Sequence, residues 1–145
     1  MGLSRRRLIS ILSAATMMGV LPLEAEEPTT LATSRVYKFE GFPDQHPNGT
    51  EGRPVLKGRL ATGELIEVHE TQLPAGMAPH PPHHHKKSEL FIVLEGRVAF
   101  NVMGTFQSVG PGGILFAASN QEHGIRNVGT SVARYMVVAI GPGAA

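Results

Sequence analysis

Gly76-Met77-Ala78-Pro79-His80-Pro81-Pro82-His83-His84-His85-Lys86-Lys87-Ser88-Glu89 runs on to Gly96, and a second stretch, Pro111-Gly112-Gly113, is followed by His123-Gly124-Ile125-Arg126-Asn127. His83 and His85 lie two residues apart, so on an extended strand their side chains share a face. Two imidazoles on one face can converge on one ion at about 2.0–2.1 Å. Glu89 follows His85 by four residues, which along one straight strand is about 13 Å, too far to share that ion. The chain must therefore turn at Lys86-Lys87-Ser88, with the two histidines on one strand and Glu89 opening the next. His123 then arrives from a strand distant in sequence. His83, His85, Glu89 and His123 make a set of three imidazoles and one carboxylate, which suits one divalent transition ion: iron, manganese, nickel, copper or zinc. His84 points to the opposite face and is left out. His69, His80 and His84 are read as surface imidazoles, with His80 as the substitute ligand if the spacing after Gly76 misplaces the pair.

Working outward, the chain reads as short strands. Val36–Glu40 alternates like a strand, and 41–54 reads as a long loop rich in Gly and Pro. Leu60 and Glu64–Leu73 follow around an Ala61-Thr62-Gly63 turn. Leu90–Leu94 is continuously apolar, as expected of a strand buried on both faces. Arg97–Val102 alternates after Gly96. Thr105–Val109, Ile114–Ala117, Glu122–Asn127 and Ala133–Ile140 complete the series. Strands spaced by roughly 8–12 residues and bounded by Gly, Pro or Asn predict an all-β sandwich or barrel. No stretch beyond residue 25 sustains a helical period. Gly76, Gly96 and Gly113 are read as turn positions needing positive φ, and Asn127 as a turn cap beside Val128-Gly129. Phe91 and Val93 share parity with Glu89, and Ile125 with His123, so these three are expected to line an apolar pocket around the ion. Phe100, Met103, Phe106, Phe116 and Met136 are read as core. Arg126 faces away from His123, and Tyr135 has no assigned role.

The two opening stretches resemble the paired signature motifs of the cupin superfamily. The first motif reads Gly, about five residues, His-x-His, three or four residues, Glu, six residues, Gly; here six residues separate Gly76 from His83. The second reads Pro-x-Gly, then His, three residues, Asn, matched by Pro111-x-Gly113 and His123-x-x-x-Asn127. The resemblance spans roughly Leu73 to Ile140. It implies a double-stranded β-helix, a jelly-roll barrel, over residues 36–145. It further implies a metal-dependent enzyme held by His83, His85, Glu89 and His123, with Glu89 also serving as a catalytic base. The reaction it implies first is an oxidoreductase of dioxygenase type on a small enolic or phenolic substrate. Isomerase, lyase or decarboxylase chemistry, or a non-catalytic module for a small ligand or metal, are the alternatives. Small members of the superfamily are commonly homodimers, and the segment Thr29–Phe42 is a candidate for exchange or packing across such an interface.

The N-terminus reads separately. Ser4-Arg5-Arg6-Arg7-Leu8-Ile9 resembles a twin-arginine export signal, and the run to Leu23 is short and diluted for a transmembrane span. Residues 1–25 are expected to be a signal peptide cleaved after Ala25, with an uncleaved anchor as the alternative, and 26–35 a flexible linker. A periplasmic or secreted protein without stable membrane insertion follows. The chain has 145 residues and net charge +1; beyond residue 25, Lys plus Arg number 10 and Asp plus Glu 11, so the net charge is −1. The apparent basicity belongs to the signal, and no basic patch argues for nucleic acid. With no cysteine present, thiolate ligands and disulfides are excluded.

Overall fold

The computed structural model describes residues 28–142; the proposed signal at 1–25 lies outside them. Ten strands run in chain order: β1 (Thr30–Leu31), β2 (Asp44–Gln45), β3 (Glu51–Leu60), β4 (Leu65–Leu73), β5 (Ser88–Glu95), β6 (Val98–Val102), β7 (Thr105–Val109), β8 (Ile114–Ala117), β9 (His123–Asn127) and β10 (Ala133–Gly141). No helix occurs among the described residues. Seven strands form one sheet, ordered β1-β3-β4-β10-β5-β8 with β2 added on β3, and three form a second, β7-β6-β9. The inward faces of both sheets meet in one apolar core that includes Leu73, Val93, Val98, Phe100, Leu115 and Ile125. Phe91 of β5 and Phe100 of β6 pack across the gap with ring centroids 5.2 Å apart. This is the all-β two-sheet barrel expected from the strand rhythm, and the double-stranded β-helix that the resemblance implies.

The strand β10 organises the large sheet. It pairs antiparallel with β4 over its whole length, from Ala133↔Leu73 to Gly141↔Leu65, and with β5 on its other side. Side chains in one row therefore face the same way. Glu67, Ala139 and Glu89 form one inward row; His69, Val137 and Phe91 form the next; Thr71, Tyr135 and Val93 the third.

Several expectations need correction. Val36–Glu40 is not a strand. Val36 is 88% exposed, and Phe39 instead packs edge-on against Phe42 at 5.4 Å and beneath the Arg53 guanidinium at 5.1 Å. The alternation there meets local packing in place of a ladder. Part of the expected 41–54 loop is sheet, because β3 accommodates Pro54 at a register shift between Pro54 and Leu56, where a missing N–H is tolerated. Thr30–Leu31, within the expected linker, pairs in parallel with β3.

The double-sided burial expected for Leu90–Leu94 belongs to β6. On β5, Phe91 and Val93 are buried while Leu90 is 37% exposed; a two-layer fold has only one interior, and Leu90 and Ile92 face outward beside Phe116 and Ile114. Met103, Phe106 and Phe116, read as core, are exposed, whereas Phe100 is buried and Met136 half-buried. Met103 lies in the β6–β7 turn, and Phe106 and Phe116 point to the outer faces of their sheets.

Gly76 and Gly96 have the expected positive φ, but in the third turn it is Gly112, not Gly113, that does. Gly113 is required for space, since a Cβ there would overlap the Val109 side chain.

Asn127 ties the sandwich together at the end of β9. It is fully buried, its Nδ2 donates to the carbonyls of Leu73 and Ser131 at 2.8 Å each, and its Oδ1 accepts from Gly129 N–H at 2.9 Å. Removing the amide strands the buried Leu73 carbonyl and leaves the partly buried bonds to Ser131 and Gly129 unmade. Asn127→Ala is expected to lower the unfolding free energy by about 3 kcal/mol; urea denaturation would show it, and a loss under about 1 kcal/mol would mean that water replaces the amide.

Candidate metal centre

The segment between β4 and β5 meets β9 at both of its ends: Gly76 and Met77 bond the backbone of Asn127, and His83 bonds that of His123. His83 N–H donates to the His123 carbonyl at 3.0 Å, and His123 N–H returns the bond to His83 at 2.9 Å. The expectation of a full strand at His83–His85 is thus corrected to a single antiparallel bridge. The alternation survives: His83 and His85 are half-buried and His84 is exposed. The chain then turns, and Glu89 enters as the second residue of β5.

The structure brings all four residues of the set together. Ring centroids lie 5.1 Å apart for His83–His85, 4.8 Å for His83–His123 and 4.9 Å for His85–His123. One nitrogen from each imidazole falls within 4.8 Å of the others. Glu89 reaches between two of them, Oε1 lying 3.3 Å from His85 Nε2 and Oε2 lying 3.2 Å from His123 Nε2.

The chemistry of these contacts tests whether an ion fits. His85 Nδ1 lies 2.9 Å from the Lys87 carbonyl, and His123 Nδ1 lies 2.9 Å from the Gln121 carbonyl. A carbonyl only accepts, so both Nδ1 atoms carry a proton and each neutral ring keeps a lone pair on Nε2. Those lone pairs face carboxylate oxygens that are also electron-rich. Only positive charge between them makes the arrangement favourable: protons on both rings, or one cation. His83 Nδ1 is buried without a hydrogen-bond partner. Burial, then the neighbouring His80, His123 and His85, hold the His83 imidazole below its ordinary pKa, which favours the neutral, ligating form. Backbone carbonyls orienting metal-binding imidazoles through Nδ1 are the usual outer support of such sites. The donor set fits one divalent transition ion on His83, His85, His123 and Glu89.

A cavity of about 680 Å³ opens beside the cluster. Phe91, Ile125 and Val137 supply apolar wall. Val93, expected there, is buried in the core and is not part of the lining, although its row neighbours Tyr135 and Thr71 are. Arg126 is exposed and stacks on Phe106 at 5.2 Å. His80 is exposed, with its Nδ1 turned to the Pro81 carbonyl at 3.0 Å.

Sequence reasoning missed the polar wall. His69, read as a surface imidazole, and Thr71 and Tyr135 all line the cavity, as does His46 of the β2–β3 turn. The signal for the first two was present as the alternation Glu67-x-His69-x-Thr71-x-Leu73. Burial lowers the His69 pKa, against the pull of Glu67 and Glu89. Burial also raises the Tyr135 phenol well above the usual tyrosine range, partly offset by a hydrogen bond with Thr71, so Tyr135 is a neutral hydroxyl.

The sequence of residues 68–139 matches the family model described as Cupin domain. These residues form a cupin domain. No curated protein sequence matches the chain, whereas solved structures do. The cupin domain of Cnp3 from Schizosaccharomyces pombe superposes with TM-score 0.55 at 17% identity, over 63% of this chain and 64% of that one, so this chain spans less than two thirds of its length. KdgF from a Halomonas species gives TM-score 0.59 at 15% identity over 71% and 89% of the two chains. A Thermotoga maritima protein described as a predicted oxalate decarboxylase gives 0.54 at 21% identity over 63% and 79%. At these identities the likeness establishes the cupin fold alone.

The cupin site makes a direct prediction for metal content. Protein equilibrated with manganese, iron or zinc and then gel-filtered is expected to retain about one equivalent by elemental analysis. His123→Ala is expected to retain less than a tenth of that, from losing one ligand of four, and His84→Ala the full equivalent. An empty site in His84→Ala would overturn the assignment of faces.

Proposed function

We propose that the protein is a metal-dependent cupin enzyme, an oxidoreductase of dioxygenase type acting on a small enolic or phenolic compound. The observation that carries the metal-dependent part is the convergence of His85 and His123 Nε2 on the two Glu89 oxygens while both Nδ1 atoms are tied to carbonyls. His83, His85, His123 and Glu89 would hold the ion. When bound, the ion supplies Lewis-acid activation of a substrate oxygen and, if it is iron, manganese or copper, redox chemistry with dioxygen. The oxidoreductase class rests on the cupin resemblance and on a ligand set that leaves room for substrate.

The protein's own groups divide the remaining work. The two backbone-anchored imidazoles hold their geometry without rearrangement, which keeps the site preorganised. Glu89 is half-buried at the cavity wall and is the carboxylate placed to take a proton from a substrate hydroxyl. Phe91, Ile125 and Val137 give that exchange an apolar wall. Tyr135, kept neutral, can donate a hydrogen bond to substrate oxygen.

Two wider readings accompany this one. The Ser4–Ile9 stretch supports export to the periplasm or beyond. The outer row of Leu90, Ile92, Ile114 and Phe116 supports a homodimer packed through that face of the large sheet. Sedimentation velocity is expected to give a dimer for the wild type and a monomer for Phe116→Asp; a wild-type monomer at micromolar concentration ends the dimer reading.

Oxygen-electrode measurements on metal-loaded protein with a panel of enols and phenols test the reaction class. Substrate-dependent oxygen uptake is expected, with Glu89→Gln retaining part of the metal and losing at least about a hundredfold in turnover. Full turnover in Glu89→Gln removes it from the mechanism. Stoichiometric ligand retention without turnover makes the protein a binding module.

A further inference from the structure

Away from the imidazole cluster, three hydroxyl groups line the cavity. Thr71 and Tyr135 pair across β4 and β10, four residues along from the row of Ala139 and Glu89, or about 13 Å of strand. Their side chains project side by side from one face of the sheet. Thr50 joins them in the lining from the start of β3. Its residue is 5% exposed, its N–H is taken by Asn48 Oδ1 at 3.0 Å, and its Oγ1 is buried with no partner. A buried hydroxyl left unpaired carries a desolvation penalty that a ligand group would relieve.

The charges around it point to the kind of ligand. Among the described lining residues the only Lys or Arg is Arg53, against the carboxylates Asp44, Glu51, Glu67 and Glu89. Arg53 is already committed: Nε and Nη2 bind the buried Glu70 at 3.0 and 2.6 Å, and Nη1 the Lys38 carbonyl at 3.4 Å. No free guanidinium or ammonium is left there to pair with a second carboxylate of a substrate. Threonine and tyrosine hydroxyls both donate and accept, which matches a hydroxyl group and does not demand an anion.

We propose that Thr50, Thr71 and Tyr135 form a subsite for the uncharged, hydroxyl-bearing end of a small organic substrate, with Thr50 Oγ1 as a specificity-determining group, and that the cavity rejects dicarboxylates. This rests on the reading of the cavity as the substrate site beside the metal centre. Oxalate is a dicarboxylate, so the subsite sets this chain apart in substrate class from any oxalate decarboxylase built on the same fold.

Calorimetric titration of the zinc-loaded protein with catechol and with malonate tests this. Catechol is expected to bind more tightly than malonate. Thr50→Val and Tyr135→Phe should each weaken catechol about fivefold, the loss of one hydrogen bond, with zinc stoichiometry and malonate binding unchanged. Thr50→Ser should bind catechol as the wild type does. Tighter binding of malonate, no measurable binding of catechol, or wild-type catechol affinity in a folded Thr50→Val protein overturns the subsite. Failure to take up zinc counts instead against the metal centre, and the same comparison of wild type and Thr50→Val without metal then decides the subsite alone.

Discussion

The register of β10 is the constraint on which the site depends. This strand is hydrogen-bonded along both edges, to β4 and β5, so it sets three chain segments in step. A slip of one residue would turn every side chain in a strand to the other face. Glu67, His69 and Thr71 would leave the cavity, and Val68 and Glu70 would enter it. The apolar inward row enforces the register, because Leu73, Val93, Val137 and Phe91 are buried only in this alignment. The large outward face is also apolar, which weakens the preference, and a buried charge cluster restores it. Glu70 on that face is 3% exposed and ion-paired with Arg53 at 2.6 Å, with Arg134 at 3.3 Å. Turned inward, that carboxylate would be buried without its partners, at a cost of several kcal/mol.

The candidate centre assembles acceptors that tolerate one another only around positive charge. Two imidazole lone pairs and two carboxylate oxygens lie within 3.2–3.3 Å, held there by backbone carbonyls and by the fold. With both rings neutral and no cation between them such an arrangement is destabilising, and residues at functional sites often show this conflict between local stability and function. The ion-pair of Lys87 with Glu67 at 2.9 Å anchors the turn that carries His85 into place, beside the cavity and outside the ligand set.

The motif spacing made His83, His85, Glu89 and His123 legible, because strand parity and one forced turn are local properties. The strand rhythm likewise located most of the elements. What escaped depended on pairing across the chain. Nothing within Leu90–Leu94 tells that its outer side is left uncovered, and nothing within Val98–Asn101 tells that both its sides are filled. His69 resembles any surface imidazole until β10 places it beside Val137 and Phe91. Thr50 was invisible for the same reason: its importance comes from a cavity built by β4 and β10, distant in sequence. Val36–Glu40 had the right alternation but no partner edge.

His83 and His123 are joined through their own backbones, so two of the four candidate ligands are neighbours before any ion arrives. Little chain ordering remains to be done on binding. Uptake in such a site would proceed at the pace of ligand exchange on the ion, not of protein rearrangement. An open pocket of this kind would also discriminate weakly among first-row ions, whose affinities follow their intrinsic order. The element such a site took up would then be decided by which ions are abundant where the chain folds, and the compartment of folding would become part of the specificity of the centre.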